Sequence, residues 1–161
     1  AFFLYIRIMK HLILKLVLPL TLFSFVFVTK WAYVLPEDAP DDMLFGFPLP
    51  YRCSGWHTSL SEQYFLMEMT FDLLVYFIIW LALIYLVNRL IAVRPNRAIV
   101  AALWLVTVLS LVFPVLRALN PDNVFKTKRD FKYQEFDTGV HFMWDSETNP
   151  DYEKYFPEEK K

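Results

Sequence analysis

"YFLMEMTFDLLVYFIIWLALIYLVN", Tyr64 to Asn88, decides the architecture. It is long enough to cross a bilayer, because ~20 apolar residues at ~1.5 Å each span the ~30 Å hydrocarbon layer. A helix of a soluble bundle needs a polar face, and "LLVYFIIWLALIYLV" within this stretch has none. Yet the stretch carries two carboxylates, Glu68 and Asp72, one turn apart on one helix face. A charged aspartate near mid-membrane costs a few kcal/mol (~3 on insertion scales). Asp72 must therefore be paired, protonated, or turned toward water or a partner.

Two further blocks resemble it. Residues 12–34 begin behind Lys10 and Lys15 like a signal sequence, but bulky residues stand where a cut would fall. This block reads as an uncleaved anchor, bent at Pro19 because proline removes a backbone donor. Met9-Lys10-His11 looks like a natural start, which would make residues 1–8 an upstream extension. Residues 98–119 follow the turn signal Pro95-Asn96 and form the third span, with a kink expected at Pro114 and small residues at Ala98, Ala101 and Ala102 for close packing.

Of the 161 residues, 57% are hydrophobic, against roughly 45–50% in soluble domains. The excess lies in these three blocks. The net charge of −1 provides no field to attract nucleic acid. The single cysteine, Cys53, excludes a disulfide within the chain. No zinc spacing and no phosphate loop is present, so no cofactor and no metal is expected.

Lysine and arginine set the direction. The link "NRLIAVRPNR" holds Arg89, Arg94 and Arg97 and no acid, whereas the link between the first two spans holds Arg52 against Glu37, Asp38, Asp41, Asp42 and Glu62. The expected threading is a cytoplasmic N-terminus (1–11), span 12–34, an extracytoplasmic loop (35–63), span 64–88, a cytoplasmic loop (89–97), span 98–119 and an extracytoplasmic tail (120–161). Lys126, Lys128, Arg129 and Lys132 oppose this direction, but two concordant signals earlier in the chain outweigh them. The expected location is an integral membrane one, the cytoplasmic membrane of a bacterium.

The fold class expected from this reading is an all-α membrane protein. Its outer loop is ordered by aromatic residues and by Pro48 and Pro50. Its tail holds a short β-hairpin, "FKYQEF-DTG-VHFMW", around a glycine-containing turn. Ser59-Leu60-Ser61-Glu62 reads as a capping box for the second span.

Candidate chemistry is sparse. Glu68 lies ~6 Å and Asp72 ~12 Å below the first turn, and the basic residues at similar depth are Arg117 and Lys30. An ion pair of Glu68 with one of these is the structural expectation; a proton or ion path through Asp72, or a bond from Asp72 to another subunit, are the functional ones. Cys53 and His57 form a C-x-x-x-H spacing. With His141 and Met143 they make a weak metal pattern, and a His57-activated Cys53 nucleophile lacks an orienting third group.

Three thin spans and aromatic-rich outer segments point to a non-catalytic small subunit of a larger membrane complex, its partners being the lipid bilayer and other membrane subunits. Two rivals stand beside it. One is an enzyme acting on a lipid or envelope molecule through Glu62, Glu68, Asp72, Cys53 or His57; the other is an ion-translocating component that uses Asp72.

Overall fold

The structure, a computed structural model, describes residues 9–56, 58, 60–147, 150 and 152–155. It divides into a helical unit (Ala1–Phe27 and Leu73–Arg117) and a sheet unit (Val28–Asp72 and Ala118–Lys161).

The helical unit is built on α1 (Met9–Phe27), most of α2 (Leu66–Leu90) and α3 (Arg97–Ala118), each long and apolar enough to cross a membrane. In α1 the turn Ile13–Val17 is π-helical, and Leu18 N–H donates to Ile13 C=O just before Pro19. Proline supplies no amide of its own, and the widened turn accommodates that gap. α3 runs unbroken through Pro114. Polar side chains join the helices. Trp80 Nε1 donates to Ser24 Oγ at 2.9 Å, Thr107 Oγ1 to the Pro19 carbonyl at 3.2 Å, and Trp104 Nε1 to the Leu14 carbonyl at 3.3 Å. Phe25 meets Tyr76 edge to face.

The sheet unit corrects the all-α expectation. Six strands make one mixed sheet: β1 (Val28–Pro36), β2 (Asp42–Phe45), β3 (Arg52–Ser54), β4 (Glu62–Phe65), β5 (Val124–Lys126) and β6 (Tyr133–Phe142), in the order β5-β4-β3-β2-β1-β6. Of the described residues 49% are helical and 24% strand, an α/β fold. A single turn of helix, α4 (Tyr152–Tyr155), follows β6. All neighbours are antiparallel except β4 and β5.

Three local readings fail for identifiable reasons. The helix of the first apolar block ends at Phe27, and Val28 to Pro36 is a strand, because this apolar run meets partner strands on both sides. Among the described residues the tail holds no hairpin: β6 is one continuous strand, with Gly139 inside it. Gly139 stands opposite Trp31 of β1, and a Cβ there would lie 2.5 Å from the indole Nε1. The glycine makes room for a cross-strand ring and turns nothing. Glu62 belongs to β4, not to a helix cap, and α2 begins at Leu66; Ser59 lies outside the described residues.

Alternation along the strands gives the sheet two apolar faces. One buries Ala32, Val34, Leu44, Cys53 and Phe65, with Phe131 and Tyr133 packed on them. The other buries Tyr33, Met43 and Phe45 beside Trp31, Phe136 and Tyr155. Asp42 is buried too, accepting hydrogen bonds from the Met43 and Ser54 amides and from Trp56 Nε1. Burial pushes its carboxyl above the usual range against the pull of those donors.

Strand register defines one end of the sheet. Val28, Phe142, Phe45, Arg52, Phe65 and Lys126 lie at or near it. The chain passes there from α1 straight into β1 and from β4 straight into α2.

Candidate functional site

Two clusters of charged residues are built within the sheet unit. The first is centred on Asp72, in the second turn of α2, which is wholly buried. Its Oδ1 accepts the Leu49 amide at 2.9 Å, and the Phe47 backbone also donates to the carboxylate. Asp72 thus clamps the β2–β3 turn to the helix. That turn is shaped by Gly46, whose φ of 152° is in the region that favours glycine; a Cβ there would fall 2.1 Å from the Leu49 carbonyl. Phe47-Pro48 is a cis peptide. The second oxygen of Asp72, Oδ2, is buried with no hydrogen-bond partner.

Glu68, one turn earlier, makes a second tie. Its Oε1 accepts the Arg129 amide at 3.1 Å, while the Met67 amide donates to the Thr127 carbonyl at 2.9 Å. The segment after β5 is thereby fastened to the first turn of α2. Arg129 lays its guanidinium over the Tyr133 ring at 4.6 Å. Both acids therefore serve backbone amides, Asp72 those of the β2–β3 turn and Glu68 that of Arg129 after β5. Lys30, one expected partner of Glu68, instead meets Glu135 at 3.4 Å in an exposed pair of little energetic weight. Arg117, the other, lies in the last turn of α3.

The second cluster is centred on Arg52 of β3. Its guanidinium meets Glu62 through Nη1 and Glu147 through both nitrogens, at 2.7 and 3.2 Å. Tyr64 donates its hydroxyl to the other Glu62 oxygen. The Phe45 ring lies 4.5 Å from the guanidinium carbon, and His141 Nε2 is 3.7 Å from Glu147. Burial works to lower the Arg52 pKa, but the hydrogen bond and charge of Glu147, followed by the charge of Glu62, raise it above the ordinary value. The arginine is permanently charged, and the cluster staples β3, β4 and the segment after β6. Beside it, burial pushes the Tyr51 phenol up to about 12.

Cys53 is buried on the opposite face, and burial pushes its thiol well above the usual range, away from the nucleophilic thiolate. His57 lies outside the described residues. His141 packs edge-on against Phe45, so the sheet separates it from Cys53. Among the described residues no three His, Cys, Asp or Glu side chains converge as metal ligands.

Sequence reasoning found Glu68 and Asp72 but not what they hold, and it missed the Arg52 staple apart from Glu62. One signal was available: Arg52 is the lone base in a loop of five acids. No family model, curated protein or solved structure matches the chain.

Proposed function

We propose that this chain is a small non-catalytic subunit of a membrane protein complex, anchored by α1, α2 and α3 and presenting its sheet unit on the outer side of a cytoplasmic membrane. The observation that carries the reading is inverted polarity. The buried residues of α2 and α3 are Asp72, Thr107 and Ser110, while Ile78, Leu83, Leu105, Leu109 and Phe113 are exposed. In water such helices would leave a large apolar surface uncovered; lipid or partner helices supply the cover. A scaffolding role suits a sheet unit whose acids bind backbone amides and whose cysteine is buried. The arginine-rich link Arg89–Arg97 supports the direction of threading.

The test is affinity purification of the full chain in mild detergent, with native mass measurement and identification of what accompanies it. Stoichiometric membrane partners are the expected result. A monodisperse free monomer counts against the reading.

A further inference from the structure

The end of the sheet that joins the helices carries a rim of exposed apolar side chains. Phe47 and Leu49 in the β2–β3 turn are 43% and 40% exposed, and Phe142, Met143 and Trp144 follow the end of β6 at 37%, 41% and 67%. Phe142 and Trp144 are stacked at 5.4 Å. The register places both groups at the same end, because Val28 pairs with Phe142 and the turn lies beyond Phe45. The Asp72 clamp fixes the level of the turn. Leu49 is bonded to a residue six positions into α2, ~9 Å along a helix of bilayer-crossing length. Lys128, exposed between the two backbone ties to Met67 and Glu68, adds a cation at this end.

We propose that this rim is seated in the headgroup and glycerol layer of a phospholipid leaflet, with the β2–β3 turn dipping below the headgroups. The inference rests on the membrane reading above and adds that the sheet unit is itself a lipid-binding element. Aromatic side chains favour that layer, and lysine beside it complements lipid phosphate. Asp72 then has a physical reason to stand inside a span. Backbone amides carried to that depth meet no bulk water and need an acceptor within the protein, and the carboxylate provides it for Phe47 and Leu49.

The experiment uses the full chain reconstituted in phosphatidylcholine vesicles containing a minority of phosphatidylglycerol. A polarity-sensitive fluorophore is attached through M143C or, separately, L49C; buried Cys53 does not compete for label. Two controls accompany them, I78C within α2 and D38C in the exposed β1–β2 loop. Nitroxide lipids labelled near the headgroup or near the chain end, and aqueous iodide, report depth. The expected result is blue-shifted emission at positions 143 and 49, with several-fold stronger quenching by the shallow nitroxide than at position 38. Iodide quenching at 143 and 49 equal to that at 38 overturns the proposal, provided position 78 is quenched by the deep nitroxide. Protection from both iodide and lipid quenchers identifies a protein cover and also overturns it. Failure of position 78 to meet the deep nitroxide removes the membrane reading itself.

Discussion

The indole of Trp31 lies against Gly139, its partner across the β1–β6 pair, so closely that any Cβ at position 139 would overlap the ring. Gly139→Val must therefore expel the indole or part the strands. It is expected to destabilise the sheet unit by about 1–3 kcal/mol, the usual cost of overpacking. Thermal unfolding in detergent checks this, and Trp31→Ala combined with Gly139→Val should recover part of the loss. Equal melting of Gly139→Val and wild type would refute the contact.

Asp72 offers a second test. Leucine there strands the Phe47 and Leu49 amides, at a cost below the about 1–3 kcal/mol of a fully buried donor because the turn is half-exposed. Asparagine retains one acceptor oxygen and should cost less. Protease sensitivity of the Gly46–Tyr51 turn should rise in the order wild type, Asp72→Asn, Asp72→Leu. If Asp72→Asn leaves the turn protected and the complex assembled but abolishes a transport activity, the carboxyl proton matters and the scaffolding reading fails.

Arg52 should be the least tolerant polar residue of the sheet. Arg52→Met leaves the buried Glu62 and the half-buried Glu147 without their counter-charge, and losing one member of a buried pair costs about 3–5 kcal/mol. Arg52→Met with Glu147→Gln should be less damaging than the sum of the two single changes, because the partners share one contact. Additive losses in a double-mutant cycle would contradict the staple.

Alkaline pH should unfold the sheet unit. Burial raises the folded-state pKa of the Cys53 thiol and the Tyr51 phenol above their ordinary values of 9.0 and 10.0. For a raised pKa the stabilising contribution is complete below the unfolded value and is lost as pH rises through the folded one. Stability should begin to fall above pH 9.0 and fall more steeply between 10.0 and about 12. Cys53→Ala should delay the onset, and Tyr51→Phe should flatten the upper part. A stability flat across this range would mean that neither group is desolvated.

Threading can be checked by cysteine labelling with impermeant reagents. Asn96→Cys should react only from the cytoplasmic side, and Asp38→Cys and Ser146→Cys only from outside. Asp42, an apparent loop residue in the sequence, is buried and unsuitable for this purpose. Labelling of positions 38 and 146 from opposite sides would break the three-span arrangement.

The helices were legible because their signal is local: a run such as Leu73 to Val87 declares a long apolar helix by composition alone. The sheet was not. Lys30 pairs with Val140 and Phe65 with Lys126, partners separated in each case by both α2 and α3, and no short window holds both. Strands of three or four residues, such as Arg52–Ser54 and Glu62–Phe65, are too short to display a period of two. β1 was hidden by the apolar run it shares with α1. The two acids in α2 stood out as anomalies, but their partners are main-chain amides, which leave no trace in side-chain identity.

Strand order carries a consequence for how the chain is made. Strands β1 to β4 come from one contiguous stretch, whereas β5 and β6 are synthesised only after α3 and then add to opposite edges of the sheet. A nascent chain halted before Asn120 holds a four-stranded ribbon with bare main chain along both margins, the condition under which strands recruit strangers. Late translation of the C-terminal segment, not the apolar helices, covers those margins with β5 and β6. A stop codon near position 120 should therefore yield a protein that, on the membrane reading proposed above, inserts normally and then clumps through its sheet.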